Sequence, residues 1–117
     1  MVSRAIAAYD AQGEASFAAM NPPSTEFRDR DLYVFIIGPD NRTRVNGQDA
    51  SRVGRDLTQT VDPTGKAFGR EMIEKADESG VWIDYAWRDP LTDKDFQKSS
   101  WVVRHDGYIF GCGIYKP

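Results

Sequence analysis

Apolar and polar positions alternate most regularly in the stretch 80–116, GVWIDYAWRDPLTDKDFQKSSWVVRHDGYIFGCGIYK. In an extended segment from Val81, residues Val81, Ile83, Tyr85 and Trp87 share one face and Trp82, Asp84, Ala86 and Arg88 the other. A loop from Asp89 to Gln97 leads to a second alternating segment, Lys98 to His105. A third, Tyr108 to Tyr115, follows directly after Asp106-Gly107, the pair that favours a two-residue type I′ hairpin. The pattern predicts three consecutive antiparallel strands, and all three tryptophans lie within them. Both faces carry large apolar groups, so the sheet has to be covered on both sides.

Upstream, the period changes twice. Residues 3–20 are alanine-rich with a loose apolar stripe of Ile6, Tyr9, Phe17 and Met20, which predicts helix. Gly13 weakens its middle enough to split it in two, and Asn21-Pro22-Pro23 ends it. Residues 31–37, DLYVFII, are β-branched and aromatic and predict a strand. Gly38-Pro39-Asp40-Asn41 then turns the chain into a short return strand at 43–46. Residues 47–61 are polar and read as an irregular or partly helical crossover. Asp62-Pro63-Thr64-Gly65 is turn chemistry that also offers a helix N-cap. A helix over about 66–79 places Phe68, Met72 and Ala76 on one stripe beside Ile73, pairs Glu71 with Lys75, and meets Gly80 at its expected C-cap. The predicted fold is α+β: a five-stranded antiparallel sheet, an N-terminal helix on one face, the crossover plus a helix on the other, and a cavity between sheet and crossover.

Composition changes this picture little. The chain has 117 residues, enough for one domain with its own core, and a net charge of −3, which gives no electrostatic reason for a nucleic-acid or acidic-membrane partner. The single cysteine, Cys112, excludes an internal disulfide. No run of 18 apolar residues exists to span a bilayer, and residues 1–20 lack the apolar core of a signal peptide. The expectation is therefore either a cytosolic chain or one whose Met1 was placed where a longer chain was cut.

No cofactor or metal is implied. There is no phosphate-binding loop, no dinucleotide fingerprint and no zinc-ligand spacing. Asp89, Asp93 and Asp95 share a loop but lack the glycine and bidentate glutamate of a calcium loop. Cys112 and the only histidine, His105, fall on different registers, which leaves no nucleophile–base pair and argues against an enzyme.

The order helix–β–β–α–β–β–β is PAS-like, and six segments narrow the match. RDLYVFI at 30–36, VGRDL at 53–57, DPTGKAF at 62–68, GVWIDYAWRDP at 80–90, KSSWVV at 98–103 and DGYIFGCGIYK at 106–116 together resemble the single Cache domain family over residues 5–116. The sequence departs from that pattern at Asn46-Gly47, where the family has His-Pro, and at Trp101, where it has Tyr. The resemblance implies a PAS-like sensor outside the cytoplasm, as in chemoreceptors and sensor kinases. It implies a small organic acid or amino acid held between sheet and crossover. It also implies a chain that is either cut from a membrane receptor or exported to stand alone.

Individual residues fit that chemistry. A carboxylate in a desolvated pocket needs a cation, and Lys98, opening a strand beside Ser99 and Ser100, can supply one. Tyr85 and Trp87 offer an apolar wall with polar handles, and Tyr33 and Phe35 share a strand face that can line the same cavity. Trp82 points the other way and reads as core. Gly111 and Gly113 occupy one face of the last strand and mark a close approach, by a ligand or by the N-terminal helix. Cys112 reads as a buried small hydrophobe. The competing interpretation is a PAS-like interaction module that fills its own pocket and dimerises through the N-terminal helix.

Overall fold

Asp106 and Gly107 have φ of 52° and 80°, the two left-handed residues that a type I′ turn demands. In the computed structural model, which describes residues 1–22, 27–29, 32–89 and 92–115, this turn sets the register of a large antiparallel sheet. Strands β1 (Arg28–Asp29), β2 (Leu32–Ile37), β3 (Thr43–Asn46), β4 (Val81–Asp89), β5 (Lys94–His105) and β6 (Tyr108–Tyr115) join helices α1 (Val2–Gln12) and α2 (Phe68–Lys75). The sheet order is β1-β2-β6-β5-β4, with β3 also paired to β2. Five strands and both helices match the expected architecture; the two-residue β1 is an addition.

Alternation sorts the core into two layers. Val34, Ile36 and Phe110 pack under α1 with Val2, Ala5, Phe17 and Met20. On the opposite face Tyr33, Phe35, Ile37, Ile83, Tyr85 and Val102 pack under Leu57, Phe68 and Met72. The α2 stripe of Phe68, Met72 and Ala76, with Ile73 beside it, is the one the spacing predicts.

Four local expectations are corrected. The strand expected at Lys98 begins at Lys94, because Arg88 draws Asp93 (3.0 Å) and Asp95 (3.3 Å) across the connection and extends the pairing. Helix α2 stops at Lys75 instead of reaching Gly80. Arg104 of β5 takes the carbonyls of Ile73 and Ala76, the chain then turns extended at Ala76, and Gly80 closes a separate turn around the Asp77 carboxylate. Asp62 does not cap α2, whose N-cap is Ala67. Trp82 is not core: it is 54% exposed, leaning on Trp101 with ring centroids 5.3 Å apart.

At its C-terminal end α1 is fastened to the β5–β6 hairpin by side chains. Tyr9 donates to Asp106, Asp10 meets His105 at 2.6 Å, and Glu14 just beyond accepts from Tyr108. The other end of α1 meets the sheet through buried Val2 and Ala5.

Candidate functional site

Strand β5 alternates Lys98, Ser100 and Val102 toward the α2 side of the sheet, and the Lys98 side chain runs inward there. Only 2% of Lys98 is exposed. Its ammonium donates to the Tyr33 hydroxyl and lies 4.3 Å from the centroid of the Tyr33 ring, 5.4 Å from that of Trp87 and 5.8 Å from that of Tyr85. Three ring faces offer the cation their negative quadrupoles but not the solvation of water. Burial therefore dominates, and with help from the nearby Arg52 charge it pushes the Lys98 pKa down to about 7.

The ammonium lines an inner cavity of about 40 Å³ together with Tyr33, Phe35, Tyr85 and Trp87. The crossover closes it with Asn46, Arg52 and Leu57, and α2 with Phe68 and Met72. Phe68 stacks on Tyr85 at 4.2 Å and meets Trp87 edge-on at 5.5 Å, so the aromatic wall is held from behind. A space of this size holds about three waters or a few heavy atoms. Outside it lies a larger vestibule of about 610 Å³, bordered by Asp49, Asp62, Arg88 and Asp93 as well as by Asn46, Arg52 and Trp87.

Five of the eight expected site residues, Tyr33, Phe35, Tyr85, Trp87 and Lys98, thus face one cavity. Ser100 is behind it, fully buried, its hydroxyl 2.7 Å from that of Tyr85, which it orients. Gly111 and Gly113 do not line the cavity. What approaches them is neighbouring side chains, not α1. A Cβ on Gly111 would fall 2.2 Å from the Phe35 ring, and one on Gly113 2.3 Å from Lys98 Cε. The glycines make room for the groups that build the site. Gly111→Ala is expected to destabilise the domain by roughly 2 kcal/mol, because a packed ring has to move; urea unfolding measures it. Cys112 is half-buried on the α1 side of the sheet, its sulfur 3.8 Å from that of Met1.

Sequence reasoning missed Asn46, Arg52 and Asp62. Asn46 accepts from the backbone of Gln48 and Asp49, which starts the crossover in a fixed direction. Asp62 is buried and accepts from the backbone of Thr64, Lys66 and Ala86 and from the Thr64 hydroxyl, which pins the crossover to β4. Burial works to raise its pKa, but the hydrogen bonds outweigh this and hold it at about 2. Among the described residues, no group of three or more His, Cys, Asp or Glu side chains could hold a metal ion. No helix among them is long and apolar enough to cross a membrane.

Comparison with known proteins fits this geometry. The Cache domain family model matches residues 23–116, and the chain belongs to that family. The sensor histidine kinase MctS of Rhizobium johnstonii is 30% identical over 88 residues, 74% of this chain; the match spans only 19% of the kinase. A Cache chemosensory domain solved for its carboxylic acid recognition superposes with a TM-score of 0.77 at 19% identity, covering 99% of this chain and 86% of that one. A methyl-accepting chemotaxis protein from Vibrio parahaemolyticus does so with 0.74 at 17% identity, covering 97% and 80%. The PAS domain of an HTR-like protein from Haloarcula marismortui gives 0.54 at 11% identity, over 97% of both chains. Cache domains are typically extracytoplasmic sensor domains, and the PAS-like order read from the sequence is the order observed.

Proposed function

We propose that this domain is the extracytoplasmic sensing module of a membrane receptor or sensor kinase and that it binds a short carboxylic acid in the inner cavity. One observation carries the reading. A buried ammonium, ringed by aromatic faces, opens on a cavity with Arg52 on its wall and no carboxylate among its lining residues. The carboxylate of the ligand meets Lys98 and the hydroxyls of Tyr33 and Tyr85, and its short tail meets Phe35, Phe68 and Met72. An amino acid fits less well, because its ammonium would have no acceptor of opposite charge there. The carboxylic acid recognition of the superposed Cache domain points the same way.

The test is a thermal-shift series with acetate, propionate, pyruvate, glycine and alanine. A ligand at 100 times its Kd adds about 2.7 kcal/mol, which raises the midpoint of a domain this size by about 10 °C. The three acids are expected to act and the two amino acids not. If none of the five shifts the midpoint, the reading fails.

Binding should also take up a proton. With the empty-state Lys98 pKa at about 7, the amine is mostly neutral at pH 8, and an arriving carboxylate restores its charge. Below pH 7 the affinity is flat; above it Kd rises about tenfold per pH unit until the bound-state pKa is passed. Calorimetry at pH 8 in buffers of different ionisation enthalpy is expected to show uptake of nearly one proton per acid bound.

The reading of a self-filled interaction module has one point in its favour, the small inner volume of about 40 Å³. It expects no acid to bind and a dimer through α1, which sedimentation measures.

A further inference from the structure

The inner cavity and the vestibule share three residues, Asn46, Arg52 and Trp87. Arg52 ends a short turn, Ala50–Arg52, whose start is fixed by the Asp49 carboxylate accepting from the Ser51 backbone and hydroxyl. From there its guanidinium reaches over the Trp87 ring, 5.1 Å from the centroid. Among the described residues the guanidinium makes no hydrogen bond or ion pair; the Trp87 ring beneath it and the attraction of the nearby Asp49 carboxylate are what hold it. Trp87 is also braced by Phe68 and Tyr85, whose rings meet it near-perpendicularly at 5.5 and 6.1 Å. The braced ring and the guanidinium over it, with Asn46, thus border both a space of about 40 Å³ and one of about 610 Å³.

We propose that the Arg52–Trp87 pair is a movable partition that sets the length of acid the domain accepts. This rests on the inner cavity being the acid site. Arg52 belongs to this role for three reasons. A cation–π contact near the surface is weak and reversible. The turn that carries Arg52 is fastened by its own side chains, so the side chain can swing without unlocking backbone. And a guanidinium stays charged whether it rests on the ring or faces an entering carboxylate. The partition opens to admit the acid past Arg52 and closes on Trp87 behind it. An acid whose tail cannot end inside the inner cavity holds the partition open and loses the stacking. With the partition removed, the two spaces join and a longer tail extends into the vestibule.

The experiment measures Kd for propionate, pentanoate and hexanoate in the wild type, Arg52→Ala, Arg52→Lys and Lys98→Met, with melting curves to confirm that each is folded. The wild type is expected to favour propionate over hexanoate by roughly 100-fold. In Arg52→Ala propionate weakens by about three- to tenfold while hexanoate tightens, so the ratio collapses by at least about tenfold. Arg52→Lys, which keeps a long cation over the ring, preserves the wild-type ratio. The partition is overturned if the wild type takes hexanoate as readily as propionate. It is overturned too if Arg52→Ala keeps the wild-type ratio, or loses propionate as completely as Lys98→Met, which would make Arg52 a direct carboxylate ligand. These results leave the acid site standing. A wild type that binds none of the three acids overturns the acid site and the partition with it.

Discussion

Lys98→Met is expected to give a domain that melts higher when empty and no longer binds short acids. The gain follows from linkage. Unfolded, the amine titrates near 10.4; folded, burial holds it at about 7. Between those values the unfolded chain carries more protons, so the penalty of the buried ammonium is complete below pH 7 and is relieved as pH rises toward 10.4. At neutral pH that penalty is on the order of 4 kcal/mol. Methionine fills a similar volume without charge but gives up the bond to the Tyr33 hydroxyl. The net gain should be roughly 1–3 kcal/mol, an upward shift in Tm of about 4–10 °C. Calorimetric melting at pH 7 and at pH 10 checks both halves, since the advantage of Met over Lys should shrink at the higher pH. A Tm that drops instead would make Lys98 a structural residue and remove the stability cost expected of a binding group.

The second large effect is at Asp62. Its carboxylate satisfies three backbone amides and a hydroxyl, so Asp62→Ala leaves donors uncovered along the seam between the crossover and β4. A loss of roughly 3 kcal/mol is expected, lowering Tm by about 10 °C. Asp62→Asn keeps one acceptor oxygen and should lose less. The wild type should show the same group by titration. Its folded pKa, about 2, lies below the unfolded value near 4. The stabilisation is therefore present above pH 4 and lost as the pH falls toward 2, a change of about 2 kcal/mol that Asp62→Ala should lack.

What could be read from the sequence follows from where side-chain direction is periodic. In β4 a period of two put Tyr85 and Trp87 on one face before any coordinates, whereas Lys98 joined them in one cavity only through the family resemblance, because the loop before β5 left its register to β4 open. The same period in β2 put Tyr33 and Phe35 on one face, and the period of α2 put Phe68 and Met72 on one stripe; the structure shows that both pairs line the cavity. Where the chain is irregular, direction is not periodic, and Arg52 could not be placed. The end of α2 was illegible for another reason: the group that takes its last carbonyls, Arg104, is 31 residues from Ile73. Trp82 shows a third limit. Alternation gave its face correctly, but how far α1 reaches across that face is a tertiary fact. Lys98 was legible as a cation on the strand, whereas its depth in the protein was not, because burial depends on Gly113 leaving space for its Cε.

The fastening of α1 has a mechanical consequence. Its ties to the β5–β6 turn gather where the helix ends, on a hairpin built from the strands that carry Lys98 and Gly113 farther along, while its first turn adds buried Val2 and Ala5 and the Arg4 guanidinium over the Phe27 ring. Sliding lengthwise would strain the three hairpin ties together; swinging about the tied end would spare those three and load the Val2, Ala5 and Arg4 contacts instead. The cheap degree of freedom of α1 is thus a pivot, and a tug on β5 or β6 would be delivered as an angle, magnified toward Met1.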